Sequence, residues 1–318
     1  MVSGKLLDFA AANYGFDKET LHFISDSTNQ IYLFKKEETS YILRFSQRNA
    51  DKIHETKAEM DWLYYLAKNN IGVGLPLNAA GGELVVSTQD DGKNFVVTSF
   101  KTVTGGFWDK NAPAKWNGKL FYNWGKTMGD IHRLTKDFKP ANAHDVRGTF
   151  DGRFALDDNV KNAPSVNKIV EGIIGEMMAL PKDKDSYGLI HNDMHPWNFL
   201  IDGEKINVFD FDDSLYGWFA LDMGIALYHA LWWGRTNDAG HDFTGDIVKN
   251  FIKGYLSGNH LSDFWLSKIP LFMRFRQICK FSWFFDPNNI DDHQKERIGN
   301  IERGILFAGC EIDGFFPE

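Results

Sequence analysis

A short segment of this chain combines residue types that suit phosphoryl transfer. Residues 191–198 read H-N-D-M-H-P-W-N, and a D-F-D triplet follows at 210–212 after an apolar stretch. Asn198 and Asp210 offer an amide oxygen and a carboxylate, and Mg²⁺ prefers oxygen ligands of this kind. Asp193 can then orient a hydroxyl for attack on a phosphate, a role that contributes about 10²–10⁴-fold. The spacing predicts Asp193 as the catalytic residue and Asn198 and Asp210 as the metal ligands.

Several neighbours of these residues admit two interpretations. We expect His191 to shape the loop rather than to act as a base. Asp212 and Asp213 either extend the metal site or form a solvated acidic turn. A different chemistry is also open, because His191, Asp193 and His195 together could bind a transition metal. That alternative is the weaker one, since it leaves both predicted magnesium ligands without a role.

The elements that must position these residues begin with a β-rich part. Apolar alternation and turn compositions over the first hundred residues predict a small antiparallel sheet with one long helix. The predicted strands are Leu21–Ile24, Gln30–Phe34, Ser40–Phe45, Glu83–Ser87 and Asn94–Ser99. The predicted helices are a short one at 5–14 and the long one at 51–69.

Helical patterns dominate after residue 101. The predicted helices are 116–135, 163–180, 218–234, 243–256, 263–284 and 291–309. Short apolar strands around the motif are predicted at Leu189–Ile190, Phe199–Ile201 and Asn207–Phe209. The chain is therefore predicted to be α+β, with a small antiparallel β lobe at 1–100 and a larger, mainly helical lobe at 101–318.

Composition narrows the class of protein. The 318 residues carry a formal net charge of −8, which argues against a nucleic-acid partner. The two cysteines, Cys279 and Cys310, form no disulfide framework, and this favours a reducing compartment. The first residues lack the apolar core of a signal peptide, and no apolar run approaches the roughly 20 residues of a membrane span. A soluble cytoplasmic protein is expected.

The two motifs resemble the catalytic and metal motifs of the aminoglycoside phosphotransferase and choline kinase superfamily. The resemblance covers most of the chain, because further landmarks follow in order. Residues 27–32 resemble the nucleotide loop, and residues 41–45 resemble the strand that bears a phosphate-binding cation. Residues 94–100 resemble the strand whose backbone binds adenine, and 129–134 resemble the helix before the catalytic segment.

The resemblance implies a bilobal protein-kinase-like fold that uses ATP, with GTP as the alternative, together with Mg²⁺. The β lobe would bind the nucleotide, and the helical lobe would carry the catalytic residue and the substrate determinants. Arg44 would hold phosphate and pair with Glu59, and Asp222 would brace the catalytic loop. The other nucleotide contacts that the resemblance implies are Ser27, Thr28, Ser99 and Phe100.

This chain departs from the family pattern at three places. Arg44 stands where many relatives have lysine, although arginine can also hold phosphate bidentately. The segment 25–30 contains no glycine, so its backbone would approach phosphate less closely and the hydroxyls of Ser27 and Thr28 would have to substitute. Trp197 occupies a position where a small residue is usual.

The acceptor is the least determined part of the prediction. The resemblance implies a hydroxyl of a small, amine-bearing molecule such as an aminoglycoside, an amino alcohol or a homoserine-like compound. Among the many aromatic residues of the helical part, most are expected in the core, while 216–218 are expected to border the substrate. The oligomeric state stays open.

Two other classes of function remain as alternatives. One is a Ser/Thr protein-kinase-like enzyme, which the short span from Asp210 to Asp222 argues against. The other is a non-catalytic nucleotide-binding module, which the complete set of Asp193, Asn198 and Asp210 argues against.

Overall fold

A computed structural model describes residues 2–49, 52–109, 115–152, 156–235, 244–306 and 315–317. The helices there are α1 (Gly4–Tyr14), α2 (Ile53–Lys68), α3 (Gly118–Thr135), α4 (Pro164–Met178), α5 (Phe219–Arg235), α6 (Thr244–Gly258), α7 (Asp263–Phe284) and α8 (Asp292–Glu302). The strands are β1 (His22–Asp26), β2 (Gln30–Lys36), β3 (Thr39–Gln47), β4 (Val85–Asp90), β5 (Lys93–Lys101), β6 (Tyr187–Ile190), β7 (Phe199–Asp202), β8 (Lys205–Val208) and β9 (Leu215–Trp218).

The chain divides into two compact units, each built from several segments. The first unit comprises Met1–Gly105, Asp137–Gly148 and Asn207–Asp212. The second unit comprises Gly106–Lys136, Thr149–Ile206 and Asp213–Glu318. The D-F-D triplet therefore belongs to the first unit, although it is more than 100 residues away in sequence from strands β1 to β5 of that unit.

An antiparallel five-stranded sheet forms the centre of the first unit. Its strand order is β1-β2-β3-β5-β4, and each neighbouring pair is antiparallel. The alternation of side chains along β2 and β3 places Tyr32, Phe34, Leu43 and Phe45 in one buried cluster with residues of α1. The expected small antiparallel sheet with one long helix is confirmed.

Helices make up most of the second unit, and α3 and α6 cross there at unusually close range. Gly125 lies on α3 and Gly254 on α6. A Cβ atom added to Gly254 would lie 1.9 Å from the carbonyl oxygen of Tyr122, and one added to Gly125 would lie 2.0 Å from that of Phe251. Only glycine allows the two backbones to approach this closely.

Gly254→Ala is expected to lower the free energy of unfolding by about 1–3 kcal/mol, because the methyl group overpacks the crossing of α3 and α6. Urea or thermal unfolding measures the change. The matched control is Gly172→Ala on α4, where an added Cβ meets nothing within 4 Å. That variant should gain about 0.5–1 kcal/mol from alanine's higher helix propensity. Equal stability of the two variants would contradict the close crossing.

Two predicted helix boundaries differ from the structure. The helix predicted at 291–309 ends at Glu302, because Gly304 adopts a left-handed conformation (φ 71°) that terminates α8. Residues 307–309 of that prediction, residue 243 of another and Cys310 lie outside the described residues. Trp218, predicted to begin a helix, instead ends β9, which pairs with β6. No helix in the described ranges is long and apolar enough to cross a membrane.

Candidate active site

The loop that carries Asp193 occupies residues 191–198, between β6 and β7 in the second unit. Asp222, in the first turn of α5, accepts hydrogen bonds from the backbone N–H of His191 (3.0 Å) and of Asn192 (2.8 Å). Asn192 has a left-handed backbone (φ 65°), which turns the chain immediately before Asp193. The brace that the resemblance implies for Asp222 is present.

A buried chain of hydrogen bonds holds Asp222 in turn. The side-chain nitrogen of Asn259 donates to the Tyr255 hydroxyl (3.0 Å), so this hydroxyl is free to donate to His132 Nδ1 (2.9 Å). His132 Nε2 then carries the proton and donates to Asp222 (3.0 Å). Burial raises the pKa of Asp222, but the hydrogen bonds from the His132 side chain and the His191 backbone outweigh it and lower that pKa. The backbone of the catalytic loop is therefore held by the ionised side chain of Asp222.

Both oxygens of the Asp193 carboxylate have partners. Arg276 Nη2 donates to Oδ1, and Asn198 Nδ2 donates to Oδ2 at 3.1 Å and to the Asp193 carbonyl at 2.9 Å. His195 Nε2 lies 3.4 Å from Oδ2. The Asp193 side chain remains 19% exposed, so a reacting group can still reach it.

The two predicted metal ligands belong to different units and are held by different means. Asn198 Nδ2 donates hydrogen bonds to Asp193, so the amide oxygen Oδ1 is the atom that can ligate a metal. Asp210 is exposed and lies two residues after the end of β8, where Val208 N–H donates to the Gly72 carbonyl (2.6 Å). Asp210 has a left-handed backbone (φ 64°), a strained conformation typical of functional positions. An amide oxygen and a carboxylate fit Mg²⁺ chemistry.

Arg44 and Glu59 form a buried, bidentate ion pair in the first unit. Nη1 and Nη2 of Arg44 each donate to one Glu59 oxygen at 2.8 Å. Burial lowers the pKa of Arg44, but Glu59, Asp212 and Asp210 outweigh it and raise that pKa above its ordinary value. Arg44 therefore stays cationic at any physiological pH, and its pairing with Glu59 agrees with the resemblance.

The interpretation of Asp212 as part of a solvated turn is wrong. Its carboxylate contacts the guanidinium of Arg48, accepts from Asn29 Nδ2 at 3.1 Å and lies 3.9 Å from Arg44. Burial raises the pKa of Asp212, but Arg44, Arg48 and Asn29 outweigh it and lower that pKa well below its usual range. Asp213, in contrast, is exposed. The cations around Asp212, which local patterning does not reveal, leave its side chain only 9% exposed.

Four residues that contact Asp193 or Asp212 were missed in the sequence. Arg147 donates to the backbone carbonyl of Glu55 (3.2 Å) and to that of Asp212, and so fixes the D-F-D triplet. The other missed residues are Asn29, Arg48 and Arg276. The sequence holds no signal that singles out Arg276, because Arg274 and Lys280 stand in the same largely apolar stretch of α7.

The predicted nucleotide contacts lie in two different settings. Ser27 and Thr28 are exposed in the turn between β1 and β2. Ser99 and Phe100 belong to β5, and the Ser99 carbonyl already accepts from Leu77 N–H (2.8 Å). The buried Ser99 hydroxyl has no hydrogen-bond partner within the described part of the chain. That these four residues contact a nucleotide stays a prediction.

Among the predicted substrate-bordering residues, Trp218 is instead part of the core. It is fully buried in β9, and its indole N–H donates to the Pro181 carbonyl (2.8 Å). Trp197, at the end of the catalytic loop, is 43% exposed and packs on Trp108 with ring centroids 5.3 Å apart. The large residue at position 197 is therefore accommodated by aromatic packing.

The alternative of a transition-metal site finds no support in the geometry. His191 Nδ1 accepts from the backbone N–H of Asp193 (3.3 Å), and His195 Nδ1 accepts from that of Trp197 (3.1 Å). Both Nδ1 atoms thus shape the loop, and no group of three or more His, Cys, Asp or Glu side chains in the described residues is placed to hold a metal. The expectation that His191 shapes the loop agrees with this geometry.

Three histidines of the second unit, the buried His132 and His229 and the partly buried His195, should make its stability fall in mild acid. Burial, the largest cause, lowers the pKa of His132, His195 and His229 below the ordinary value of 6.5. The unfolded chain therefore binds protons first as the pH falls, so the stabilisation is complete above about pH 6.5 and is lost below it. The slope reaches up to about 1.4 kcal/mol per pH unit for each proton.

Thermal unfolding followed from about pH 8 to about pH 5 measures this slope. His132→Gln should flatten it, whereas His144→Gln, at an exposed position, should leave it unchanged. A melting temperature that stays constant in wild-type protein over this range would contradict the prediction.

Comparisons with known proteins match nearly the whole chain. A model of the phosphotransferase enzyme family matches residues 20–264. Amicoumacin kinase of Bacillus subtilis (strain 168) is 34% identical over 313 residues, which cover 95% of this chain and 91% of that protein.

Solved structures agree. Amicoumacin kinase hAmiN in complex with AMP-PNP, Ca²⁺ and Ami has a TM-score of 0.84 at 28% identity, covering 96% of this chain and 93% of that one. A microcompartment-associated aminopropanol kinase has a TM-score of 0.72 at 20% identity, covering 96% and 95%. At 20% identity, the similarity to the aminopropanol kinase supports the fold only.

Proposed function

We propose, because this chain belongs to the phosphotransferase enzyme family, that it transfers the γ-phosphoryl group of ATP to a hydroxyl of a small, amine-bearing molecule. The protein is a small-molecule kinase, as its named relatives are. The observation that carries the proposal is the placement of Asp193. Its carboxylate is partly exposed on a loop braced by a buried carboxylate, where it can meet an acceptor hydroxyl.

In the proposed reaction, Asp193 aligns the acceptor hydroxyl and accepts its proton late in the transfer. The hydroxyl oxygen forms a bond to the γ-phosphorus while the bond from that phosphorus to the β,γ-bridging oxygen breaks, and ADP leaves with that oxygen. Asn198, which donates to Oδ2 of Asp193, keeps the carboxylate aligned. Positioning of this kind and electrostatics supply most of the catalysis in phosphoryl transfer.

The proposed nucleotide site uses the remaining predicted residues. Arg44, fixed by Glu59, would stabilise phosphate charge, and it keeps its own charge at neutral pH. Asn198 Oδ1 and the Asp210 carboxylate would hold Mg²⁺, which when bound neutralises charge on the phosphates. The further nucleotide contacts in this proposal are Ser27, Thr28, Ser99 and Phe100. ATP is the proposed donor, with GTP as the alternative.

Amicoumacin or a close chemical relative is the proposed acceptor. This choice rests on two relatives of more than 25% identity that carry the name amicoumacin kinase. Aminoglycosides, amino alcohols and homoserine-like compounds stay as alternatives within the same class of hydroxyl-bearing amines.

The test is a screen with purified protein, MgATP or MgGTP, and amicoumacin, kanamycin, aminopropanol or homoserine. ADP or GDP release and the mass of the product are measured. We expect amicoumacin to gain one phosphoryl group. Label transferred to protein in a lysate would favour the protein-kinase alternative, and nucleotide binding without turnover of any acceptor would favour the binding module.

The metal assignment is tested separately by the nucleotide-induced shift in melting temperature. Asp210→Asn should lose the Mg²⁺-dependent part of the shift, since it removes one carboxylate ligand. Asp91→Asn, at an exposed aspartate in the turn between β4 and β5, is the control and should keep it. An undiminished shift in the first variant would exclude Asp210 as a ligand.

A further inference from the structure

Arg276 on α7 contacts the proposed catalytic carboxylate directly. Its side chain is 5% exposed, and its Nη2 donates to Asp193 Oδ1. The two residues are 83 positions apart in sequence. A buried guanidinium that donates to an ionised carboxylate forms a charge-assisted hydrogen bond, which is stronger and more directional than a neutral one.

His229 on α5 sets the direction of that guanidinium. Arg276 Nε donates to His229 Nε2 at 3.1 Å, so this imidazole must be neutral with its proton on Nδ1. Burial, followed by the charge of Arg276, lowers the pKa of His229 well below its ordinary value, and this keeps Nε2 an acceptor. Nε and Nη2 thus donate to different partners, and both N–H groups belong to one rigid, planar guanidinium.

An aromatic ring holds the same plane from a third direction. The guanidinium carbon of Arg276 lies 4.8 Å from the centre of the Trp283 ring. Trp283 lies about two turns further along the same face of α7. Lys280 lies 5.0 Å from that ring, and burial and Arg276 lower its pKa. Arg276 is therefore held by a hydrogen-bond acceptor, a ring and its carboxylate partner, so it has little rotational freedom.

We propose that Arg276, oriented by His229, is a positioning residue that fixes the Asp193 carboxylate for phosphoryl transfer. The inference rests on the proposed role of Asp193. A carboxylate has about four lone-pair positions. Arg276 and Asn198 each occupy one, on different oxygens, which removes rotation of the carboxylate and leaves lone pairs for the acceptor hydroxyl. Without Arg276, Asp193 would turn about its side-chain bonds and meet the hydroxyl in fewer of its conformations.

The test compares wild type, Arg276→Lys, Arg276→Gln and Arg276→Ala with amicoumacin and MgATP. Arg276→Gln and Arg276→Ala should lower kcat by roughly 10- to 100-fold with little change in KM for ATP, since misplacement of about 1 Å can cost 10²-fold. Arg276→Lys should retain more activity than Arg276→Gln. Guanidinium ion at millimolar concentration should partly restore kcat of Arg276→Ala, which a merely structural role would not produce.

Arg274→Gln on the same helix is the matched control and should keep wild-type kcat, because the contacts to Asp193 come from Arg276. Wild-type kcat in the Arg276 variants would overturn the inference while leaving the proposed function intact. Inactive wild-type protein would instead count against the proposed acceptor.

A double-mutant cycle on melting temperature tests the inference without any acceptor. Asp193→Asn and Arg276→Gln should be non-additive, with the double variant melting higher than the sum of the two single shifts predicts. Additive shifts would mean that the two side chains do not interact, and would overturn the inference even if the enzyme is active.

Discussion

Asp193→Asn should lower kcat by about 10²–10⁴-fold while nucleotide affinity stays within a few-fold of wild type. Asparagine keeps the shape of the side chain but cannot accept the proton of the acceptor hydroxyl. It also places an amide where Arg276 and Asn198 now find two acceptor oxygens. The loss should therefore fall on the chemical step rather than on nucleotide binding.

Steady-state turnover with MgATP and the nucleotide-induced shift in melting temperature measure these two effects separately. Asp158→Asn, at a strongly exposed carboxylate in the same unit, is the control and should retain full turnover. Normal turnover by Asp193→Asn would remove Asp193 from the reaction, whereas loss of both turnover and nucleotide binding would point to a collapsed loop.

Asp222→Ala should lower the free energy of unfolding by about 3–5 kcal/mol and abolish turnover as well. The change leaves the buried N–H groups of His191 and Asn192 and the His132 Nε2–H without their common acceptor. Each buried donor that loses its partner is destabilising by about 1–3 kcal/mol, and the loop would no longer hold Asp193 in place.

Chemical denaturation measures the change in the free energy of unfolding. Steady-state turnover reports whether the loop still holds Asp193 in place. Asp130→Asn on α3 is the control, because its carboxylate forms exposed ion pairs with Lys126 and Arg133. Surface pairs of this kind contribute about 0–1 kcal/mol. If Asp222→Ala were no less stable than Asp130→Asn, Asp222 would not brace the loop.

The sequence by itself determined much of the local structure and was enough to predict the class of chemistry. Alternating side chains predicted the strands that became β2, β3 and β5, and helical spacing predicted α3 and α7 closely. Both signals report on neighbours in sequence, which share a face of one element. The spacing of Asp193, Asn198 and Asp210 likewise predicted phosphoryl transfer, and the family comparisons support a small-molecule kinase.

Boundaries and side-chain environments were predicted less well. The end of α8 depends on the left-handed conformation of Gly304, which helical periodicity does not report. The placement of Trp218 in the core depends on the pairing of β9 with β6, a contact between distant segments. The burial of Asp212 depends on Arg48, more than 160 residues away.

Only the tertiary structure decided which charges meet. Arg276 on α7 reaches Asp193 while His229 on α5 accepts from its Nε, and His132 reaches Asp222 from α3. A buried charge is stable only with a partner, but residue type does not say where that partner lies. The packing of helices, set partly by glycines such as Gly254, selects the partner. The sequence thus predicted which groups carry out the proposed chemistry, and the packing determined what holds them in place.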